Sequence, residues 1–153
     1  MRGQGAVEYM LIAAAVFAIF GSITFAFMIN PSQRGSDDTT RRAQIESACN
    51  AISDALNDVY SNAQGATRTV AVSLADAWSI SFVKNPPSLR MSISTSYGTE
   101  NVYENLRYSF GNSLTNIPSG NYTVIVEWWE NTAEQIVRSG TKIYIRINPW
   151  GAS

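Results

Sequence analysis

The chain has 153 residues, 45% of them hydrophobic and 15% charged, with 11 basic against 12 acidic side chains and a formal net charge of -1. That length suits one modest domain plus an appendage. The near-neutral balance argues against a nucleic-acid partner, which would call for a broad basic surface to neutralise phosphates. With no histidine and a single cysteine, Cys49, an intrachain disulfide is excluded and a zinc site lacks its usual ligands.

The chain opens Met1-Arg2-Gly3-Gln4-Gly5-Ala6-Val7-Glu8, placing a carboxylate one residue before an uncharged run from Tyr9 to Ile29. About 20 helical residues cross the roughly 30 Å hydrocarbon core of a bilayer, so this run predicts a transmembrane helix. It exceeds the roughly 7–15 apolar residues of a cleaved secretory signal. Apolar residues occupy every helical face, so lipid or other helices must surround them. Gly21 and Ser22 would permit close helix approach or simply be tolerated there.

The stretch Gln4-Gly5-Ala6-Val7-Glu8-Tyr9-Met10-Leu11-Ile12 resembles the class III signal peptide of archaeal type IV pilin-like proteins. Ala6 stands where that family usually has Ser, and Ile12 where it has Leu. The resemblance implies cutting between Gly3 and Gln4 by a prepilin peptidase, leaving 1–3 as a leader. Once freed, the Gln4 α-amine of a neighbour could pair with Glu8 and offset the cost of burying a carboxylate, or Glu8 simply marks the headgroup boundary; the resemblance favours the pairing, with Gln4 and Glu8 setting register during assembly. The filament core would be helix 4–29, with Tyr9, Leu11, Ile12, Val16, Phe17, Phe20, Ile23 and Phe27 as packing residues.

Arg34, Arg41 and Arg42 follow the run, and a simple positive-inside count would leave the remainder of the chain in the cytoplasm. The resemblance instead implies an outside location. Residues 30–38, polar and containing Pro31 and Gly35, predict a hinge. An amphipathic helix is expected over 39–64, capped by Thr39 or Thr40, with Ile45, Cys49, Ile52, Leu56 and Val59 forming one buried stripe. Cys49 then packs as a small hydrophobe, the alternative being an intersubunit disulfide. Asp54 and Asp58 share a helix face, as a solvated pair or as part of a metal site.

Beyond Gly65 the apolar period falls to two. Val70/Val72/Leu74, Trp78/Ile80/Phe82, Leu89/Met91/Ile93, Leu106/Tyr108/Phe110, Tyr122 to Trp129 and Gln135 to Ile147 read as strands, with turns at 85–88 and at Ser139-Gly140. Trp128 and Trp129 must point to opposite sides of a strand: either one is core and the other exposed, or both bury against sheet and helix. Asn121-Tyr122-Thr123 is an N-glycosylation sequon beside a turn.

The fold class expected is therefore α+β: a long N-terminal hydrophobic helix plus an antiparallel β-sheet or β-sandwich head over 65–153, the type IV pilin-like arrangement. No acid–base or nucleophile constellation can be assembled, so neither an enzyme nor a cofactor is expected. The resemblance implies a filament subunit serving surface adhesion, inserted in membrane lipid before assembly. Its partners would be identical or related pilin subunits, the prepilin peptidase and the assembly machinery. The alternatives are an archaellum subunit and a monomeric membrane-anchored module that binds carbohydrate or protein.

Overall fold

The computed structural model describes the backbone of residues 4–95, 98–129 and 133–149, with side chains from 10–18 and from 37 onward. The chain divides into two compact units, Met1–Thr39 and Thr40–Ser153. Helix α1 is Gln4–Asn62. It supplies the described backbone of the first unit and then enters the second, whose described residues also form eight strands: β1 Thr67–Leu74, β2 Trp78–Lys84, β3 Pro87–Thr95, β4 Gly98–Asn105, β5 Ser113–Ile117, β6 Gly120–Trp128, β7 Gln135–Ser139 and β8 Lys142–Ile147.

In the second unit α1 is held by one stripe. Ile45, Cys49, Ile52, Leu56 and Val59 recur at spacings of four and three, and all are buried. The helix stops where Ala63 turns left-handed at φ 73°, with Gly65 at φ 85° two residues on. A left-handed residue just past the last turn is a common helix terminator.

The strands form two four-stranded sheets, ordered β1-β6-β8-β7 (sheet A) and β4-β3-β2-β5 (sheet B). Period-two alternation sends Val72 and Leu74, Ile80, Leu89 and Met91, Val124 and Val126, and Ile143, Ile145 and Ile147 into one core shared with the α1 stripe. The β2–β3 hairpin turns through a cis Asn85-Pro86 peptide bond. The β7–β8 hairpin turns through Gly140 and Thr141, with Gly140 at φ 60°, a conformation glycine adopts without strain.

The expected fold class is corrected on two counts. Among the described residues no helix is long and apolar enough to cross a membrane. The side chains described in the apolar run are those of residues 10–18, roughly 13 Å of helix at 1.5 Å per residue. The strands are also not all antiparallel, because β6 and β8 run parallel in register from Thr123↔Lys142 to Trp128↔Ile147. Strand β8 is inserted between β6 and β7, and parallel or antiparallel neighbours of a buried strand produce the same alternation in sequence.

Smaller differences follow from local chemistry. Backbone stays helical through 30–38 and at Thr39 and Thr40, where a hinge and a cap were expected. The polar residues cost only tenths of a kcal/mol each, but Gly35 costs roughly 1 and Pro31 roughly 3, so the helix persists here against local propensity, helped by propagation being easier than nucleation. Leu106, Tyr108 and Phe110 do alternate toward the core, but without ladder pairing, in the connection between β4 and β5. Strand β4, Gly-Thr-Glu-Asn-Val-Tyr-Glu-Asn, is poor in β-formers and escaped the sequence reading. So did β5, whose pairing to β2 is irregular between Trp78 and Ile80.

Candidate functional site

Two surfaces carry residues whose exposure needs explaining. The first is on the N-terminal unit, where Leu11, Ile12 and Val16 are exposed and Met10 and Phe17 each reach 77%. Met10 and Phe17 are seven residues apart, close to two helical turns, and share a face; Leu11, Ile12 and Val16 extend the apolar surface around the helix. Exposed side chains of this size forgo about 1.5–3 kcal/mol each relative to burial, which is the physical incentive for a partner. The backbone of Gln4 and Glu8 lies in α1. Gly3, and the side chains of Gln4, Glu8, Tyr9, Phe20, Ile23 and Phe27, fall outside the described residues, as does the leader 1–3.

The second is the seam that residues 40–62 of α1 form with the edge strands β1 and β4. On the β4 side, helix side chains reach strand backbone and side chains turn after turn. Arg42 pairs with Glu100 at 3.1 Å, the Cys49 thiol lies 3.9 Å from the Val102 carbonyl, and Ser53 Oγ donates to the Asn105 carbonyl at 3.1 Å. Asn57 Nδ2 donates to the same carbonyl at 3.3 Å, while Asn57 Oδ1 accepts from the Arg107 backbone N–H at 2.9 Å. Hydrogen bonds to Glu46, then the charges of Glu100 and Glu46, raise the Arg42 guanidinium further above its ordinary value.

Burial at this seam, reinforced by the nearby Glu104 carboxylate and slightly opposed by a backbone contact at Met91, pushes the Cys49 thiol up to about 12. The residue behaves as the small hydrophobe expected, and a thiol held protonated is a poor nucleophile.

The β1 side is different. Thr40, Ala43, Gln44, Ser47, Ala48 and Ala51 face Ala71, Val72 and Ser73 across an open groove of about 430 Å³. A further space of about 300 Å³ continues it past Asp54, Asp58 and Val70. Asp58 pairs with Arg68 of β1, so this carboxylate is committed to an ion pair; among the described residues no cluster suited to a metal ion is found.

At the end of β6 the two neighbouring tryptophans separate: Trp128 is 5% exposed and Trp129 49%. The alternative in which both bury is thereby discarded. Arg146 lies 4.9 Å over the Trp129 ring and 5.5 Å over that of Tyr144, while its Nε pairs with Glu127 Oε1 at 2.6 Å. Asn121 is exposed at the start of β6, with Tyr122 turned into the core.

Sequence reasoning named Leu11, Ile12, Val16 and Phe17 of the first surface but not Met10, and missed the second. A signal for it existed: Ala43, Ser47, Ala51 and Ala55 recur every fourth residue, a small-residue row on a helix whose opposite flank carries Ser53 and Asn57. No protein-family model, characterised protein or solved structure matches the chain.

Proposed function

We propose that this chain is a structural subunit of an extracellular filament and assembles through the N-terminal part of α1. The observation that carries the reading is the exposed apolar surface of Met10, Leu11, Ile12, Val16 and Phe17. It is supported by the likeness of residues 4–12 to the signal peptide of archaeal type IV pilin-like proteins. In this reading a prepilin peptidase frees the amine of Gln4, and identical or related subunits bury one another's apolar surfaces. Glu8 fixes register by pairing with a neighbour's amine, and the β-rich unit is displayed outward for surface attachment.

The chain performs no catalysis in this scheme.

Electron microscopy of cell-surface fibres, combined with mass spectrometry of the subunit's N-terminus, tests assembly and cutting together. Fibres containing the chain and beginning at Gln4 are expected. A chain that stays monomeric in surface preparations ends the filament reading, and Met1 retained inside an intact fibre ends the processing claim. Glu8→Gln, which removes a charge at nearly constant shape, is expected to lower filament yield at least about tenfold, the equivalent of one lost charge-assisted contact of roughly 1.5–3 kcal/mol. An unchanged yield would show that the pairing does not set register.

A further inference from the structure

Each sheet has two edge strands, and an edge strand offers unpaired N–H and C=O groups to any chain able to pair with them. Three of the four are guarded. Strand β4 is bonded by α1 side chains and carries Glu100 and Glu104. Strand β5 is five residues long with a register irregularity, and β7 is five residues long and bears Arg138. Strand β1 is the least guarded: its eight residues pair one-to-one with β6 from Thr67↔Glu127 to Leu74↔Gly120, without bulge or proline, and the Asp58–Arg68 ion pair bonds it to the helix. Its single charge, Arg68, is drawn away by Asp58.

The free groups can be assigned. Trp128 N–H donates to the Ala66 carbonyl at 3.1 Å, in line with the β1–β6 register. Hydrogen-bonded pairs alternate along an antiparallel ladder, so the even-numbered residues of β1 bond to β6. The N–H and C=O groups of Thr67, Thr69, Ala71 and Ser73 therefore point away from the sheet.

We propose that β1 is a homotypic pairing edge, joining β1 of a second copy of this chain in antiparallel register about a two-fold axis through Ala71. The strand is self-complementary in that register. Thr69 meets Ser73 of the second copy, hydroxyl beside hydroxyl on the outer face, and Ala71 meets its own counterpart where bulk would be least welcome. Val70 meets Val72 on the inner face, and each is directed toward space that the helix leaves vacant. The second copy's Val70 enters the groove beside Ala43, Ser47, Ala48 and Ala51, and its Val72 enters the space beside Ala51, Ala55 and Val70. Every outward group of Thr69, Ala71 and Ser73 finds a bond, and the two sheets A become one of eight strands.

This contact goes beyond the filament reading and does not need it. Subunits of a polar helical filament are related by a screw operation, which cannot generate a two-fold contact. The β1 pair therefore joins copies in different filaments, tying fibres side by side.

Position-specific cross-linking of the full-length chain in detergent tests the pairing. In a hydrogen-bonded antiparallel pair the two Ala71 Cα atoms stand about 5.5 Å apart, inside the roughly 4.4–6.8 Å range of disulfides. Ala71→Cys is expected to oxidise to a covalent dimer at least about tenfold faster than Thr115→Cys on β5, because pairing raises the local thiol concentration. The buried Cys49 contributes no background link. Ala71→Lys, with its charge at the edge, is expected to fold with an unchanged urea midpoint and to lose the dimer in light scattering.

Equal cross-linking rates at positions 71 and 115, or dimers that survive Ala71→Lys with unchanged mass, overturn the proposal. If Ala71→Cys links only to a different protein in native surface preparations, the edge has another occupant and the second-copy assignment fails. Loss of filaments with retention of the Ala71-linked dimer counts against the filament reading alone.

Discussion

The two flanks of the same helix treat the two sheets differently. Toward β4 the helix presents Arg42, Ser53 and Asn57, long or polar groups that end in bonds to the strand and its connection. Toward β1 it presents Ala43, Ser47 and Ala51 along an open groove, and reaches the strand through Asp58 on Arg68. One flank closes an edge and the other preserves one. An amphipathic helix is usually described by its buried stripe against its solvated remainder; here the informative division is between the two margins of that stripe.

The largest expected effect comes from the stripe itself. Ile52 is fully buried on the line that divides the margins, and Ile52→Ala should cost about 2–5 kcal/mol in urea unfolding through lost burial and the cavity left behind. A loss below about 1 kcal/mol would mean that the helix is not seated on the core as described.

The margins can then be compared directly. Ser53→Ala removes a donor from the Asn105 carbonyl and should cost about 1 kcal/mol. Ser47→Ala, its counterpart on the open side, should stay within about 0.5 kcal/mol. Equal costs would erase the asymmetry.

Amide exchange sharpens the contrast one residue at a time. In the monomeric Ala71→Lys variant the N–H groups of Thr69 and Ser73 should exchange at least about tenfold faster than those of Val70 and Val72, which are bonded to β6. Uniform protection along β1 would show that something within the chain already covers the edge.

The smallest effect belongs to Cys49. Its thiol is raised from 9.0 to about 12 by burial, so the folded chain holds a proton that the unfolded chain gives up in that interval. Its contribution to stability is complete below pH 9 and declines as pH rises toward about 12, a high-pH loss that Cys49→Ala should reduce. Maleimide labelling at pH 8 should likewise track unfolding; rapid labelling of the native chain would place the thiol at an accessible surface.

Much of this was legible in sequence. The stripe from Ile45 to Val59 and the alternation in β1, β2, β3 and β6 follow from spacing alone, because burying one face imposes the period. What was lost has physical causes. Strand β4 gains its place from neighbours rather than from its own residues, since Glu and Asn are weak strand formers. The parallel β6–β8 pair leaves the same alternation as a hairpin would. The open edge is a property of what is absent beside Ala71, and a sequence records side chains more readily than the spaces between them. The expected packing residues Leu11, Ile12, Val16 and Phe17 are exposed in the single chain, and the fibre experiment decides what they pack against.

The position of β8 carries a consequence in time. This strand lies between β6 and β7 and brings Ile143, Ile145 and Ile147 to the centre of the core. Its parallel partner β6 precedes it by about twenty residues and β1, next to β6, by about seventy, separations that slow closure because long loops must be ordered first. As the chain emerges residue by residue, sheet A remains split, with β6 and β7 facing an unfilled slot. Sheet A is therefore completed only when β8, the last of the described strands in chain order, enters between β6 and β7.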